Sequence, residues 1–401
     1  IKESKNSYEE KIYEIYKRSI LLFPLLTNQD TGGIIASPEI DEDFTKCGRY
    51  AYCWTRDAVF MTKALDILKM EKETEKFYKV FCKKTQSKNG MWEQRFYTDG
   101  KLAPCWGYQV DETASVVYGV YEHYKYSKSE KFLKDNLSMC EKAVDFLKRY
   151  VEDWLQIQSK EERDKDIVKE EMENQMKKLH GEHKYHVSYD LWEMSEGIHL
   201  YSLASIYSAF ECMLKMYTVL GKNTSEFENN RLKEEKIHKN EKEIERLQVG
   251  IKKYINENLY DTEKNTYVRN IEDKKMDISI LGAVTPFNVF KPKEKKVRNT
   301  IEKINMTLRT YTGGYQRFEQ DHYMDGNPWP IANLWMTLYY LETGEKRKAK
   351  ETFDFVVKTS GKHHFLGEQV DNETLKPNWV IGLGWSHAMF IIVLEKLYGN
   401  K

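Results

Sequence analysis

One pattern constrains this chain more than any other: helical stretches that are apolar on most faces alternate with stretches that carry one charged face. "AVFMTKALDILKM" (58–70), "SVVYGVYEHY" (115–124), "LYSLASIYSAFECMLKMY" (200–217), "ISILGAVTPFNVF" (278–290), "IANLWMTLYYL" (331–341) and "HAMFIIVLEKLYG" (387–399) belong to the first kind. A helix that is apolar all round has to be enclosed on every side, whereas one with a charged face lies against solvent. The 3.6-residue period predicts helices over 8–26, 57–70, 73–87, 112–127, 129–152, 199–220, 230–257, 277–289, 294–306, 329–343, 346–360 and 384–398. The first opens on a capping box, Ser7 followed by Glu10. This is an all-α pattern of six inner helices ringed by six outer ones. "GMWEQRFYTDGKL" (90–102) and "LYDTEKNTYVRN" (259–270) read as short β-hairpins in the connections, not as a central sheet.

Composition narrows the partners. The 401 residues would divide into two or three domains on length alone, but a large helical barrel is a single unit, and one domain over 1–401 is expected. Lys plus Arg and Asp plus Glu are 63 each, so no basic excess exists to grip nucleic acid or an anionic membrane, and the expected ligand is uncharged. No apolar run approaches the ~18 residues of a membrane span, and the first residues lack the order of a signal peptide. The chain opens on Ile rather than Met, which points to a removed upstream segment. Six cysteines without a C-x-x-C pair read as reduced thiols, which leans towards a cytoplasmic setting. The stretch 156–184, dense in both charges, reads as a solvated surface excursion. His180, His183 and His186 follow it without the Cys or paired carboxylates that would complete a metal site. There is no Gly-rich phosphate loop, no H-E-x-x-H and no G-x-S-x-G, and no cofactor or metal is expected.

The polar, aromatic-rich clusters fall at the starts of the enclosed helices: "GRYAYCWTRDA" (48–58), "CWGYQVDET" (105–113), "SYDLWEMSEG" (188–197), "GGYQRFEQDHYMDGNPW" (313–329), "HHFLGEQVDNE" (363–373) and "GLGWSH" (382–387). With the inner helices parallel, these loops converge at one end of the ring. Flat aromatic faces beside fixed charges suit a non-ionic polyhydroxylated ligand, and two facing carboxylates are the minimum for cleaving a glycosidic bond.

The blocks "YAYCWTRDA", "QVDET", "DLWE", "RFEQDHYMDGNPW", "GEQ" and "WSHA", spread in order from residue 50 to 388, resemble glycoside hydrolase family 15, the family of glucoamylases, glucodextranases and trehalases. The resemblance implies an (α/α)6 barrel and inverting, exo-acting release of glucose from α-glucans or α-gluco-oligosaccharides, without a catalytic metal. It makes Glu193 the general acid and Glu368 the general base. Arg56 and Asp57 would hold the terminal glucose and Arg317 would contact it, with Tyr50, Trp54, Trp106, Leu191, Trp192, Tyr323 and Trp329 around the cleaved residue. Many members have a second Glu directly after the acid, where this chain has Met194, so linkage preference stays open. Bacterial members commonly carry a β-sandwich domain ahead of the barrel, and it is expected to be absent from 1–401.

Each assignment has a plainer competitor. Glu193 and Glu196 could be acidic residues favoured at a helix start; Glu196 keeps that role, while Trp192 beside Glu193 is expected to raise the Glu193 pKa above that of Glu368. Asp371 and Glu373 compete with Glu368 as base. Arg56 and Asp57 could be a structural ion pair, but a shared ligand explains both. Trp385 reads as core, and Asp111 and Glu112 either support the site or merely start a helix. Hydrolysis of α-1,6 linkages or of trehalose, and a non-catalytic α-glucan-binding barrel, stand as alternatives.

Overall fold

The computed structural model describes residues 7–41, 49–161, 188–221 and 231–399; His180, His183, His186 and most of the charged stretch 156–184 lie outside them. The helices are α1 (Ser7–Leu26), α2 (Thr55–Ile67), α3 (Glu71–Lys76, prolonged by a π-helical turn Phe77–Cys82 and by Lys83–Thr85), α4 (Val110–Ser127) and α5 (Glu130–Glu161). After the gap come α6 (Leu200–Gly221), α7 (Arg231–Asn258), a 3-10 helix (Ile278–Ala283), α8 (Lys295–Thr307), α9 (Pro330–Thr343), α10 (Lys346–Lys358) and α11 (Gly384–Tyr398).

The apolar segments close a ring. Going round it, α11 packs on α2, α2 on α4, α4 on α6, α6 on the 3-10 helix, that helix on α9, and α9 again on α11. Enclosure is as complete as the sequence pattern demands: in α9 every residue from Pro330 to Tyr340 is buried, and in α11 every residue from Gly384 to Val393. The segments with charged faces lie outside, α1 against α11 and α10, α5 against α4, α6 and α7, and α10 against α9. The architecture is thus an (α/α)6 barrel, all-α apart from small hairpins.

The fourth inner position departs from expectation. A helix was predicted over 277–289, but only the 3-10 turn Ile278–Ala283 forms. Pro286 explains it: proline has no N–H to donate, and it disfavours the helical region for Thr285 before it. The turn starts on a real cap, with the Asp277 carboxylate accepting from the Ser279 N–H at 2.7 Å. Its apolar residues Ile278, Ile280 and Leu281 remain buried, so the place in the ring is filled by a shorter element.

Among the described residues three two-stranded antiparallel hairpins occur: Ser188–Tyr189 with Glu196–Gly197, Tyr260–Asp261 with Thr266–Tyr267, and Gln369–Val370 with Pro377–Asn378. The predicted hairpin at 259–270 is the second of these. In 90–102 the chain turns back through isolated bridges, Cys53 to Phe96 and Phe96 to Leu102, without a longer ladder. Among the described residues no helix is long and apolar enough to cross a membrane, and Cys53, Cys82, Cys105, Cys140 and Cys212 are free thiols.

Candidate active site

The loops that lead into α2, α4, α6, α9 and α11 enclose a pocket of about 350 Å³, within the range of roughly 300–1,000 Å³ typical of small-molecule sites. All twelve residues singled out from the sequence line it: Tyr50, Trp54, Arg56 and Asp57; Trp106; Leu191, Trp192 and Glu193; Arg317, Tyr323 and Trp329; and Glu368. Asp371 and Glu373 do not.

"SYDLWEMSEG" is a hairpin, not a helix start. Ser188–Tyr189 pairs with Glu196–Gly197, so Glu196 is an exposed strand residue and has no part in a first helical turn, contrary to expectation. Asp190 organises the turn between the strands: its carboxylate accepts the backbone N–H groups of Trp192 at 3.2 Å, Met194 at 2.7 Å and Ser195 at 2.8 Å. Glu193 sits at the crest with φ of 62°, a left-handed conformation uncommon outside glycine, which an over-determined loop can hold. Its Oε1 accepts the Trp54 indole N–H at 2.7 Å. The neighbouring Trp192 is buried and donates its own indole N–H to Asp277 at 3.0 Å, which fixes the ring in the wall.

Glu368, on the loop before α11, is 2 % exposed. Its Oε1 accepts the Tyr50 hydroxyl at 2.5 Å, and its Oε2 has no hydrogen-bond partner. Tyr50 and Trp54, the donors to the two carboxylates, are neighbouring rings with centroids 6.0 Å apart. The two glutamates are therefore held by adjacent aromatics of a single loop.

Burial pushes the Glu193 carboxyl up to about 7 against the pull of Arg56, the Trp54 hydrogen bond and Arg95. Burial also pushes Glu368 up to about 7, against the Tyr50 hydrogen bond and Arg317. The expected ordering, with the Glu193 pKa above that of Glu368, is not found: Glu368 is the more buried of the two, and each keeps cations and a donor that partly compensate.

Arg56 lies on the floor at the start of α2, 3 % exposed. Its Nη1 donates to Asp111 Oδ2 at 2.9 Å and lies 3.1 Å from Glu112 Oε1, while its backbone N–H donates to Glu112 Oε2 at 2.7 Å. Asp111 and Glu112 thus do both things that the sequence left open: they begin α4 and they fix this guanidinium. Asp57 Oδ2 stands 3.4 Å from Arg56 Nε without a hydrogen bond, an acceptor left for something else. Three carboxylates around one cation carry excess negative charge in a buried place. Burial, opposed by Arg56, pushes Glu112 up to about 8 and Asp57 up to about 6. Arg317 is clamped by Asp321 through two 2.8 Å bonds and lies over the rings of Trp329 and Tyr323.

Some of the lining was not anticipated. Trp385, read as core, is 5 % exposed and stacks on Phe60, yet it also lines the pocket with an unpartnered indole N–H. Tyr52 and Arg95 line it too. Tyr52 lies in a motif that was read only for its neighbours, whereas Arg95 sits in a stretch without any chemical motif. Among the described residues no group of three or more His, Cys, Asp or Glu side chains is arranged to hold a metal ion.

Comparison with known proteins gives the family and the fold. The chain is 28 % identical over 395 residues to an uncharacterised glycosyl hydrolase of Methanocaldococcus jannaschii, covering 95 % of this chain and 55 % of that protein. It is 25 % identical over 136 residues to trehalase 1 of Sulfolobus acidocaldarius, covering 33 % of this chain and 24 % of that one. The chain thus spans about half the length, or less, of the curated relatives it matches. In fold it is similar to a glycosidase (TM-score 0.73, 16 % identity, 98 % of each chain) and to a glucoamylase from Saccharomycopsis fibuligera (TM-score 0.70, 13 % identity, 98 % of this chain and 95 % of that one). It is also similar to a bacterial glucoamylase complexed with acarbose (TM-score 0.69, 17 % identity, 97 % of this chain and 56 % of that one). The family model for glycosyl hydrolases family 15 matches residues 10–363, and the chain belongs to that family.

Proposed function

We propose that this chain is an inverting, exo-acting α-glucoside hydrolase that releases β-glucose from the non-reducing end of α-gluco-oligosaccharides. The observation that carries this reading is the pair of glutamates on two different loops of one aromatic pocket, each tied by one oxygen to the wall and each with a carboxyl pushed up to about 7. Glu193 in its protonated form gives its proton to the glycosidic oxygen as the bond breaks. Glu368 in its charged form takes a proton from the water that attacks the anomeric carbon from the opposite face; its Oε2, which has no protein partner, is the acceptor. Tyr50, itself kept protonated by burial and by the Glu368 charge, holds the base in place. Asp57 Oδ2 and the Arg56 and Arg317 guanidinium groups bind hydroxyls of the retained glucose, and the rings of Trp54, Trp192 and Trp329 enclose it.

The test is proton NMR of the first turnover on an α-glucoside. Inversion predicts that β-glucose appears before mutarotation sets in; first release of α-glucose would mean a covalent intermediate and would withdraw the two roles. The preferred linkage is read from the same assay with maltose, isomaltose and trehalose, the last included because of the partial likeness to trehalase 1. Binding of maltose with no glucose released in any assay would leave a non-catalytic glucan-binding barrel.

A further inference from the structure

Arg95, like Arg49, is a pocket guanidinium that the proposed reaction does not use. It is 6 % exposed and reaches the pocket from the bridged turn at 90–102. Its Nε donates to the Pro104 carbonyl at 2.6 Å, and its charged head lies 4.0 Å from the centre of the Trp106 ring, 4.9 Å from Tyr52 and 5.3 Å from Trp54. Arg56 has Asp111 and Glu112, and Arg317 has Asp321, but among the described residues no carboxylate lies within ion-pair distance of Arg95. Its two Nη groups have no hydrogen-bond partner among the described residues. A buried cation without a counter-charge is costly, and the aromatic faces around it compensate only in part.

The position tells what the cation is for. Trp54 carries both Glu193 and Arg95, so Arg95 stands beside the acid. Trp106, the ring nearest to it, is 54 % exposed, as is Met194 next to the acid, and the two form the rim, whereas Asp57 and Glu368 lie deep. Glu193 protonates the oxygen between the retained glucose and the leaving group, so groups outward of it face the leaving group. Nor does Arg95 help the acid stay protonated; its charge favours the ionised form of Glu193.

Resting on the proposed hydrolase reading, we propose that Arg95 is a specificity-determining residue that recognises an anionic group, carboxylate or phosphate, on the leaving half of the substrate. Two forked Nη donors match either oxyanion, and the bound anion supplies the counter-charge that the protein omits. The preferred substrate class is then an α-glucoside of an acidic or phosphorylated sugar or polyol rather than a neutral glucan.

Calorimetric binding tests this in a Glu193→Gln background, which keeps ligands intact and mimics the neutral acid. Maltobionate is compared with maltitol, which differs from it only in carrying CH₂OH for the carboxylate, and α-maltose 1-phosphate with methyl α-maltoside; the pair with the larger ratio identifies the anion. At least one anionic ligand should bind ten-fold or more tighter than its neutral partner, and Arg95→Gln should bring that ratio close to one. Maltitol and methyl α-maltoside bound as well as their anionic partners, or a preference that survives Arg95→Gln, would overturn the proposal and leave the hydrolase reading intact. No binding of any of the four, or of maltose, would overturn both. Should Arg95→Gln fail to fold, Arg95→Lys, which keeps the charge but loses the fork, should retain part of the preference, and a ratio near one with Arg95 intact would still refute it.

Discussion

At the scale of single residues, the roles of the two glutamates separate by leaving group. Glu193→Gln removes the proposed proton donor, so hydrolysis of an unactivated α-glucoside should fall by roughly 10²–10⁴-fold, the usual worth of general acid catalysis, while α-glucosyl fluoride, which needs no proton, is largely spared. Glu368→Gln should be equally damaging on both substrates, because the water still lacks a base. Stopped assays on the two substrates check this, and equal losses for both variants on both substrates would reassign the pair. The meeting of these residues in one pocket was legible because they lie in contiguous motifs at the starts of the inner helices. Arg95 was not, because a lone arginine between Gln94 and Phe96 carries no pattern; only folding reveals that Trp106 and Tyr52 cover it and that no carboxylate among the described residues meets it. The pKa ordering also escaped the sequence, since Glu368 looks solvated in "LGEQVDNE" and is buried only by the Trp379 segment that folds over it, whose carbonyl accepts the Glu368 N–H at 3.2 Å.

At the scale of elements, the ring is set by how closely its helices approach. Gly119 in α4 is the tightest such point: a Cβ there would lie 2.1 Å from the Tyr78 hydroxyl and within 3.0 Å of both Val59 methyls, on α3 and α2 respectively. Tyr78 cannot swing aside freely, because it is fully buried and its hydroxyl is 2.9 Å from Thr62 Oγ1. Alanine is worth about 1 kcal/mol more than glycine inside a helix, but overpacking a buried contact costs about 1–3 kcal/mol, so the clash should win. Gly119→Ala is therefore expected to lower the melting temperature by a few degrees without changing the pocket, as a thermal melt beside an activity assay would record. A raised melting temperature would show that α2, α3 and α4 are not so closely packed. Periodicity made the inner and outer sets legible, because an apolar circumference has only one stable location. It failed at the fourth inner element, where "ISILGAVTPFNVF" has the apolar circumference of a helix but Pro286 cuts the hydrogen-bond ladder. It failed again at 188–197, where the Asp190 carboxylate satisfies three N–H groups and so stabilises a turn that no apolar period announces.

At the scale of the whole molecule, the pocket places buried carboxylates where the protein would be more stable without their charge. Glu122, on the far half of α4, shows the opposite arrangement: burial opposes its ionisation, but Lys63 and Lys125 outweigh that and hold it down at about 2. Its contribution is lost only as pH falls through that value, and it is constant between pH 5 and 8. Glu368 has the other sign. Its carboxyl rises from an unfolded value of 4.5 to about 7, so its contribution to stability is fully present below 4.5 and is lost as pH rises through 7. A shift of that size corresponds to roughly 3 kcal/mol, at about 1.4 kcal/mol per pKa unit. Glutamine at this position keeps an acceptor for the Tyr50 hydroxyl and never ionises. Glu368→Gln should therefore match the wild-type protein in denaturant unfolding at pH 5 and exceed it by roughly 1–3 kcal/mol at pH 8, while losing catalysis at both. Because the same charge that destabilises the fold is the one that activates water, activity and the wild-type stability deficit should grow together as pH rises from 5 to 7. If the variant gains nothing at pH 8, Glu368 is solvated in the free protein and its place as a desolvated base has to be given up.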